Sequence, residues 1–361
     1  MSPVSRKRLY IPQHTYRGKL QRDDRFDNVR GFLIMLVVIG HFLLPVFQTR
    51  LVTGITYAIY VFHMPCFVMV SGYYAKSIYK NGKYRWGKVI QMLWLFVVYE
   101  CILWITEALA YGITTPIPNF FRESGAPWYL LCMAYYYLTL PLFHNIDSPK
   151  AQLGVIIAMI LFASFGKYIF LTGSFLCLDR AVSFLPFFYM GYYGTKMLLD
   201  RFLLSIYKRP VQLIAAVLLL IIFLFTYDFL LRWNLVVFGT SYNRYRAPDQ
   251  PYIWLFNIVW YVIAFIISLG FISSMLNRRM LIVTGLGRNT LQIYFMHRPI
   301  RDIMMYFGFY NVFNPHSKLN VILLIVFSIV LTILLGGNAL NRLFILLKSV
   351  FDPLLEKADA L

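Results

Sequence analysis

Asp27-Asn28-Val29-Arg30-Gly31-Phe32, continuing through Leu33 to Ile39 into Gly40-His41-Phe42, decides the fold of this chain. Between Arg30 and His41 there is no other ionisable side chain. At about 100° per residue the helix makes about three full turns between them, so both side chains share one face. A rise of about 1.5 Å per residue separates them by about 16 Å, which carries the histidine deep into a hydrocarbon layer about 30 Å thick. Asp27, one turn before Arg30, is spaced to pair with it at i,i+3. A lone histidine at such depth either bonds across helices or does chemistry, and an arginine in phase with it favours chemistry.

The rest of the 361 residues agrees with a membrane setting. The chain is 60% hydrophobic and 14% charged, with a mean hydropathy of +0.64. A soluble domain is nearer half apolar and a quarter charged. Apolar segments fall at about 29–48, 54–74, 89–111, 127–146, 151–171, 180–199, 211–231, 253–275, 290–309 and 318–338. The expected fold is therefore all-α, a polytopic bundle of about ten transmembrane helices. Pro141 predicts a kink or an early end in the fourth. Residues 1–28 read as a basic tail, 29–338 as the transmembrane domain and 339–361 as a C-terminal tail. No small-residue cleavage site follows the first apolar run, which predicts a retained first span.

The formal charge of +19 would suggest nucleic acid in a soluble protein, but here the basic residues sit between spans. Twenty-three lysines and arginines fall in the tails and the alternate loops that share their side, against five in the opposite loops. The positive-inside rule then places both termini in the cytoplasm. Cys66, Cys101, Cys132 and Cys177 lie in or beside apolar segments without metal-ligand spacing. Dispersed histidines and the lack of an acidic cluster argue against a metal site, and no Walker loop or dinucleotide fingerprint is present.

Several further groups carry chemistry. The second span reads Tyr60-Val61-Phe62-His63-Met64-Pro65-Cys66-Phe67, then Ser71-Gly72-Tyr73. Pro65 frees a backbone carbonyl near His63, and Ser71-Gly72 permit close helix approach. The next loop holds Lys76, Lys80, Lys83, Arg85 and Lys88, and Trp128-Tyr129-Leu130 opens the fourth span. Arg180 precedes Phe184-Leu185-Pro186-Phe187-Phe188. The ninth span runs Gly287-Arg288-Asn289-Thr290-Leu291-Gln292-Ile293-Tyr294-Phe295-Met296-His297, followed by Arg298, Arg301 and Asp302. So many charges must face the bundle interior or a watery cavity. The loop at 232–252, with Tyr242, Arg244, Tyr245, Arg246, Asp249 and Tyr252, offers rings and charges suited to a sugar, or an ordinary interfacial loop.

These motifs, in this order, resemble the acyltransferase-3 family of integral-membrane O-acyltransferases, and the second span resembles its fucose-acetylase-like branch. The resemblance implies transfer of an acyl group, by the family's habit acetyl, from cytoplasmic acetyl-CoA to a hydroxyl of a cell-surface or lipid-linked carbohydrate. It implies a multi-pass protein of a bacterial plasma membrane. His41 would be the general base, a neutral imidazole taking the hydroxyl proton, with Arg30 clamping the donor. Arg85, with Lys83 or Lys88, would hold the phosphates of coenzyme A. His63, Arg180 and His297 would contact substrate. The rival reading is a secondary transporter whose buried histidines and arginines line a solute path.

Overall fold

The computed structural model describes residues 24–80, 82–112, 116–122, 125–169, 175–194, 207–229, 234–242, 252–338 and 340–349, with short backbone pairs at 15–16 and 19–20. The basic side chains from Arg6 to Arg22, the Lys80 side chain, and loop residues Arg244, Tyr245, Arg246 and Asp249 lie outside the described residues.

Helix α1 (Arg25–Leu43) takes up the first apolar stretch and tightens into a 3-10 turn, Leu44–Val46, around Pro45. His41 thus sits in the last turn of α1, several residues before the expected end of the run. The second stretch forms two helices, α2 (Arg50–Tyr60) and α3 (His63–Tyr74). Pro65 has no N–H to offer the carbonyl of Val61, and the indole of Trp260 donates to that oxygen instead, at 3.0 Å. The freed carbonyl expected near His63 is real, but its partner is a tryptophan from another helix.

After α3 come a two-residue hairpin (Tyr79–Lys80 with Lys83–Tyr84), then α4 (Trp86–Tyr111), α5 (Trp128–Phe143), α6 (Pro149–Ile169) and α7 (Leu178–Tyr193). Helix α5 continues past Pro141 to Phe143, and the Tyr84 hydroxyl donates to the carbonyl of Tyr137 that the proline leaves open, at 2.8 Å. Next are α8 (Lys208–Phe229), α9 (Ile253–Ser274), α10 (Leu281–Arg288), α11 (Thr290–Tyr306) and α12 (Lys318–Leu335). A last helix, α13 (Asn341–Ser349), lies in the expected C-terminal tail and buries Phe344 against Phe295.

Among the described residues, seven helical stretches are long and apolar enough to cross a membrane: Arg25–Val46, Arg50–Ile78, Trp86–Tyr111, Pro149–Tyr168, Lys208–Phe225, Ile253–Ser274 and Lys318–Leu335. Three of the ten expected segments form shorter helices, α5 and α7 of 16 residues and α11 of 17. At about 1.5 Å per residue each is about 25 Å long, just under the hydrocarbon thickness. These short helices carry Trp128, Arg180 and Arg298, which line a cavity described below. The chain is an all-α, multi-pass membrane bundle.

Two glycine crossings fix its centre. A Cβ on Gly287 of α10 would lie 1.7 Å from the Asp27 carbonyl oxygen of α1, and one on Gly31 would lie 2.1 Å from that of Val283. The same reciprocal contact joins α3 and α7, where Gly72 meets Phe188 O at 2.0 Å and Gly191 meets Met69 O at 1.8 Å. In lipid no hydrophobic force drives helices together, so such backbone-to-backbone packing holds them. Gly287→Val is expected to lower stability by about 1–3 kcal/mol, the cost of overpacking. Gly285→Ala, two residues away on the opposite side of α10 with nothing within 4 Å, should be neutral or stabilising by up to about 1 kcal/mol. Thermal unfolding of the two variants in one detergent checks the contrast.

Candidate active site

The entry of α1 is tied down by charge. The Asp27 carboxylate, 1% exposed, pairs with Arg30 on its own helix and accepts from Arg288 Nε of α10 at 3.2 Å. Arg288 also reaches Asp24 at 2.9 Å. Beside it the Asn28 amide donates to the carbonyls of Leu276 and Arg278 and accepts from the Thr284 hydroxyl at 2.6 Å. These bonds set the rotation of α1, and with it the direction in which its one polar face looks.

That face is Arg30, Ile34, Val37, His41 and Leu44, and it forms the wall of two cavities stacked end to end. The first, of about 150 Å³, begins at Arg30 and is lined by Ile34, Phe67, Ser71, Leu130 and Leu291. The second, of about 170 Å³, holds His41, Leu44, Tyr60, His63, Arg180 and Arg298. A cavity needs about 10–15 Å³ to admit one water, so each has room for a slender chain or a file of waters. Val37, Met64, Tyr129 and Tyr294 line both cavities and form the partition between them. Tyr129 is held there by a 2.6 Å hydrogen bond with Ser71, and the Tyr294 hydroxyl donates to the Ala126 carbonyl.

The histidines are not equivalent. His63 and His297 each bond through Nδ1 to the carbonyl one turn back, Ile59 at 2.9 Å and Ile293 at 3.0 Å. A carbonyl only accepts, so each Nδ1 carries a proton, and in the neutral ring each Nε2 keeps its lone pair. His41 has no such tether: its Nδ1 is buried with no hydrogen-bond partner, and its ring lines the second cavity. His297 packs edge-on against His41, with ring centroids 5.0 Å apart, and lines neither cavity. It was expected against substrate; the structure brings it into contact with the His41 ring.

Arg180 and Arg298 meet in the second cavity from different helices, α7 and α11. Arg180 lies 5.3 Å over the Trp128 ring. Arg298 bonds through Nε to Asp302 at 3.0 Å, and Asp302 is shared with the buried Arg301. The basic loop is a different matter. Lys83 sits in the exposed hairpin, Arg85 immediately precedes α4 and Lys88 follows in its first turn, and none of the three lines either cavity. Sequence reasoning missed the partition, although Trp128-Tyr129 and Tyr294 stood in motifs it quoted. It also passed over Lys167, which is 1% exposed and donates to Asn257 Oδ1 at 3.1 Å inside the bundle.

Comparison with known proteins decides the family. Residues 23–337 match the acyltransferase-3 model, described as an acyltransferase domain. The chain belongs to the acyltransferase-3 family. Among curated relatives of this acyltransferase-3 protein is nodulation protein NolL of Sinorhizobium fredii (strain NBRC 101917 / NGR234), 34% identical over 139 residues. That alignment covers 35% of this chain and 38% of the relative. No solved structure matches the chain.

The charge cluster at the entry of α1 has a direct test. Asp27→Asn removes the carboxylate that Arg30 and Arg288 share, and because both arginines are partly exposed the loss should be about 1–3 kcal/mol. Thermal unfolding should show that loss, and adding Arg30→Gln should recover more of it than adding Arg288→Gln, because Arg288 keeps Asp24 as a partner.

Proposed function

We propose that this protein is an O-acyltransferase that moves an acyl group, acetyl by expectation, from acyl-CoA on the cytoplasmic side to a hydroxyl of a cell-surface or lipid-linked carbohydrate. Its place would be a bacterial plasma membrane. The observation that carries the reading is the pair of stacked cavities on one face of α1, with Arg30 at one end and His41 past the partition. The thioester would enter at Arg30 and extend along Ile34 and Val37 toward the partition. Apolar walls there suit an alkyl chain, and the arginine suits an anionic or carbonyl group at the mouth.

In the second cavity His41 would take the proton of the acceptor hydroxyl as the oxygen attacks the thioester carbonyl. The carbon–sulfur bond breaks, the new ester carbon–oxygen bond forms, and the departing thiolate recovers the proton as coenzyme A thiol. His297, packed on the far side, would hold the His41 ring in position, and His63 would present its Nε2 lone pair to a sugar hydroxyl. Lys83, Arg85 and Lys88 would meet the coenzyme A phosphates outside the cavities, where the nucleotide must remain because the passage is narrow. Arg30 and His41 are thus proposed as the central residues, and Arg180 as an acceptor contact.

The test uses purified protein in nanodiscs with radiolabelled acetyl-CoA and a cell-envelope extract as acceptor. His41→Ala should abolish transfer while retaining donor binding. Arg85→Ala should weaken donor binding by about tenfold, the size of one lost hydrogen bond to a charged group. A wild type that neither binds nor consumes acetyl-CoA with the extract present overturns the reading and brings the transporter forward.

A further inference from the structure

We propose that the Tyr60 hydroxyl is the oxyanion donor of this site, the group that bonds the thioester carbonyl oxygen as negative charge collects on it. This rests on the acyltransferase reading and deepens it by adding a catalytic residue beside His41. Among the described residues, three tyrosines line the second cavity, and two of their hydroxyls are already bonded. Tyr129 shares a hydrogen bond with Ser71 at 2.6 Å, and Tyr294 donates to the Ala126 carbonyl. Tyr60 is 8% exposed, and its hydroxyl is buried without a hydrogen-bond partner. An unsatisfied buried donor destabilises the fold, so a position that keeps one is expected to offer it to a ligand.

Local structure holds the ring in place. Tyr60 is the last residue of α2 and His63 the first of α3, so the break between the helices brings both to the cavity wall. Their rings meet edge-on at 4.7 Å, and Phe238 packs against Tyr60 at 4.8 Å. The Tyr60 ring also lies on the backbone of α1, where a Cβ on Gly40 would come 2.8 Å from its Cε2. A glycine immediately before His41 thus lets the phenol approach the base closely. The two ring centroids are 6.5 Å apart, and neither the Tyr60 hydroxyl nor His41 Nδ1 has a hydrogen-bond partner. A carbonyl group about 3 Å from each side chain would touch both, which is the arrangement that acyl transfer needs.

The neighbouring histidine cannot take this part. Neutral His63 gives its one N–H to the Ile59 carbonyl and only accepts at Nε2. In the proposed step the acceptor oxygen adds to the carbonyl carbon, and the carbonyl π pair moves onto its oxygen. Tyr60 donates a hydrogen bond to that oxygen and keeps its own proton. The pair then returns, the carbon–sulfur bond breaks, and His41 passes the acceptor's proton to the departing thiolate.

The test measures acetyl transfer from radiolabelled acetyl-CoA to a cell-envelope extract by wild type, Tyr60→Phe and Tyr57→Phe in nanodiscs, with thermal unfolding of each. Tyr60→Phe keeps the ring and should lower kcat by about 10²–10³-fold, the loss of one oxyanion donor, with the apparent KM for both substrates little changed. Its melting temperature should stay level or rise, because an unsatisfied buried hydroxyl is gone. Tyr57→Phe removes a buried hydroxyl from α2 three residues earlier and outside both cavities, and should leave transfer unchanged. An undiminished kcat in Tyr60→Phe overturns the proposal, since another donor then holds the oxyanion. A raised apparent KM for the extract at unchanged kcat also overturns it, by making Tyr60 an acceptor contact. So does a lowered melting temperature that accompanies the loss of kcat, because the hydroxyl then serves the fold. In each of these cases the wild type still transfers acetyl and the acyltransferase reading stands. A wild type that transfers none brings down that reading and this inference together.

Discussion

The Asp27 carboxylate is the constraint on which the site depends. It is buried at the start of α1 and holds one arginine from its own helix and one from α10. Buried charges persist only when paired, so this carboxylate locks the two helices where the glycine contacts let their backbones touch. Once the rotation of α1 is fixed there, every residue in phase with Arg30 faces the cavities. His41 reaches the deeper one because its position is an integral number of turns from that anchor.

The same constraint, that polar groups inside a bilayer must find partners, explains the tryptophan and tyrosine placements. Four prolines lie in helices near the site, Pro65, Pro141, Pro186 and Pro299. For the first two the exposed carbonyl is met by Trp260 and by Tyr84. Breaks in the hydrogen-bond ladder are affordable because neighbouring helices re-satisfy the backbone. The break between α2 and α3 puts Tyr60, His63 and Met64 at the cavity wall, so the irregularity serves the site.

Much of this was legible in the sequence. The phase between Arg30 and His41, the Asp27–Arg30 pair and the close approach at Gly72 follow from spacing and residue size. The motif order pointed to the acyltransferase-3 family. The partition was not legible, because Met64, Tyr129 and Tyr294 come from three different helices, and spacing along one helix gives no sign of which neighbour's ring a side chain will meet. His297 was read as a substrate contact through the family resemblance; its contact with the His41 ring joins two helices and could not be read from spacing along either one. The basic loop was read through the family resemblance, and a motif does not say whether a lysine lies in a cavity or on a rim.

The central claim is that one face of α1 carries the acyl group from Arg30 to His41. Its most direct test is an experimental structure with a thioether analogue of acetyl-CoA bound. The account predicts the nucleotide at the basic hairpin, the pantetheine arm entering past Arg30, and the acyl end at the partition within hydrogen-bond reach of His41. An analogue whose acyl end lies away from His41, or that enters the bundle without passing Arg30, contradicts it.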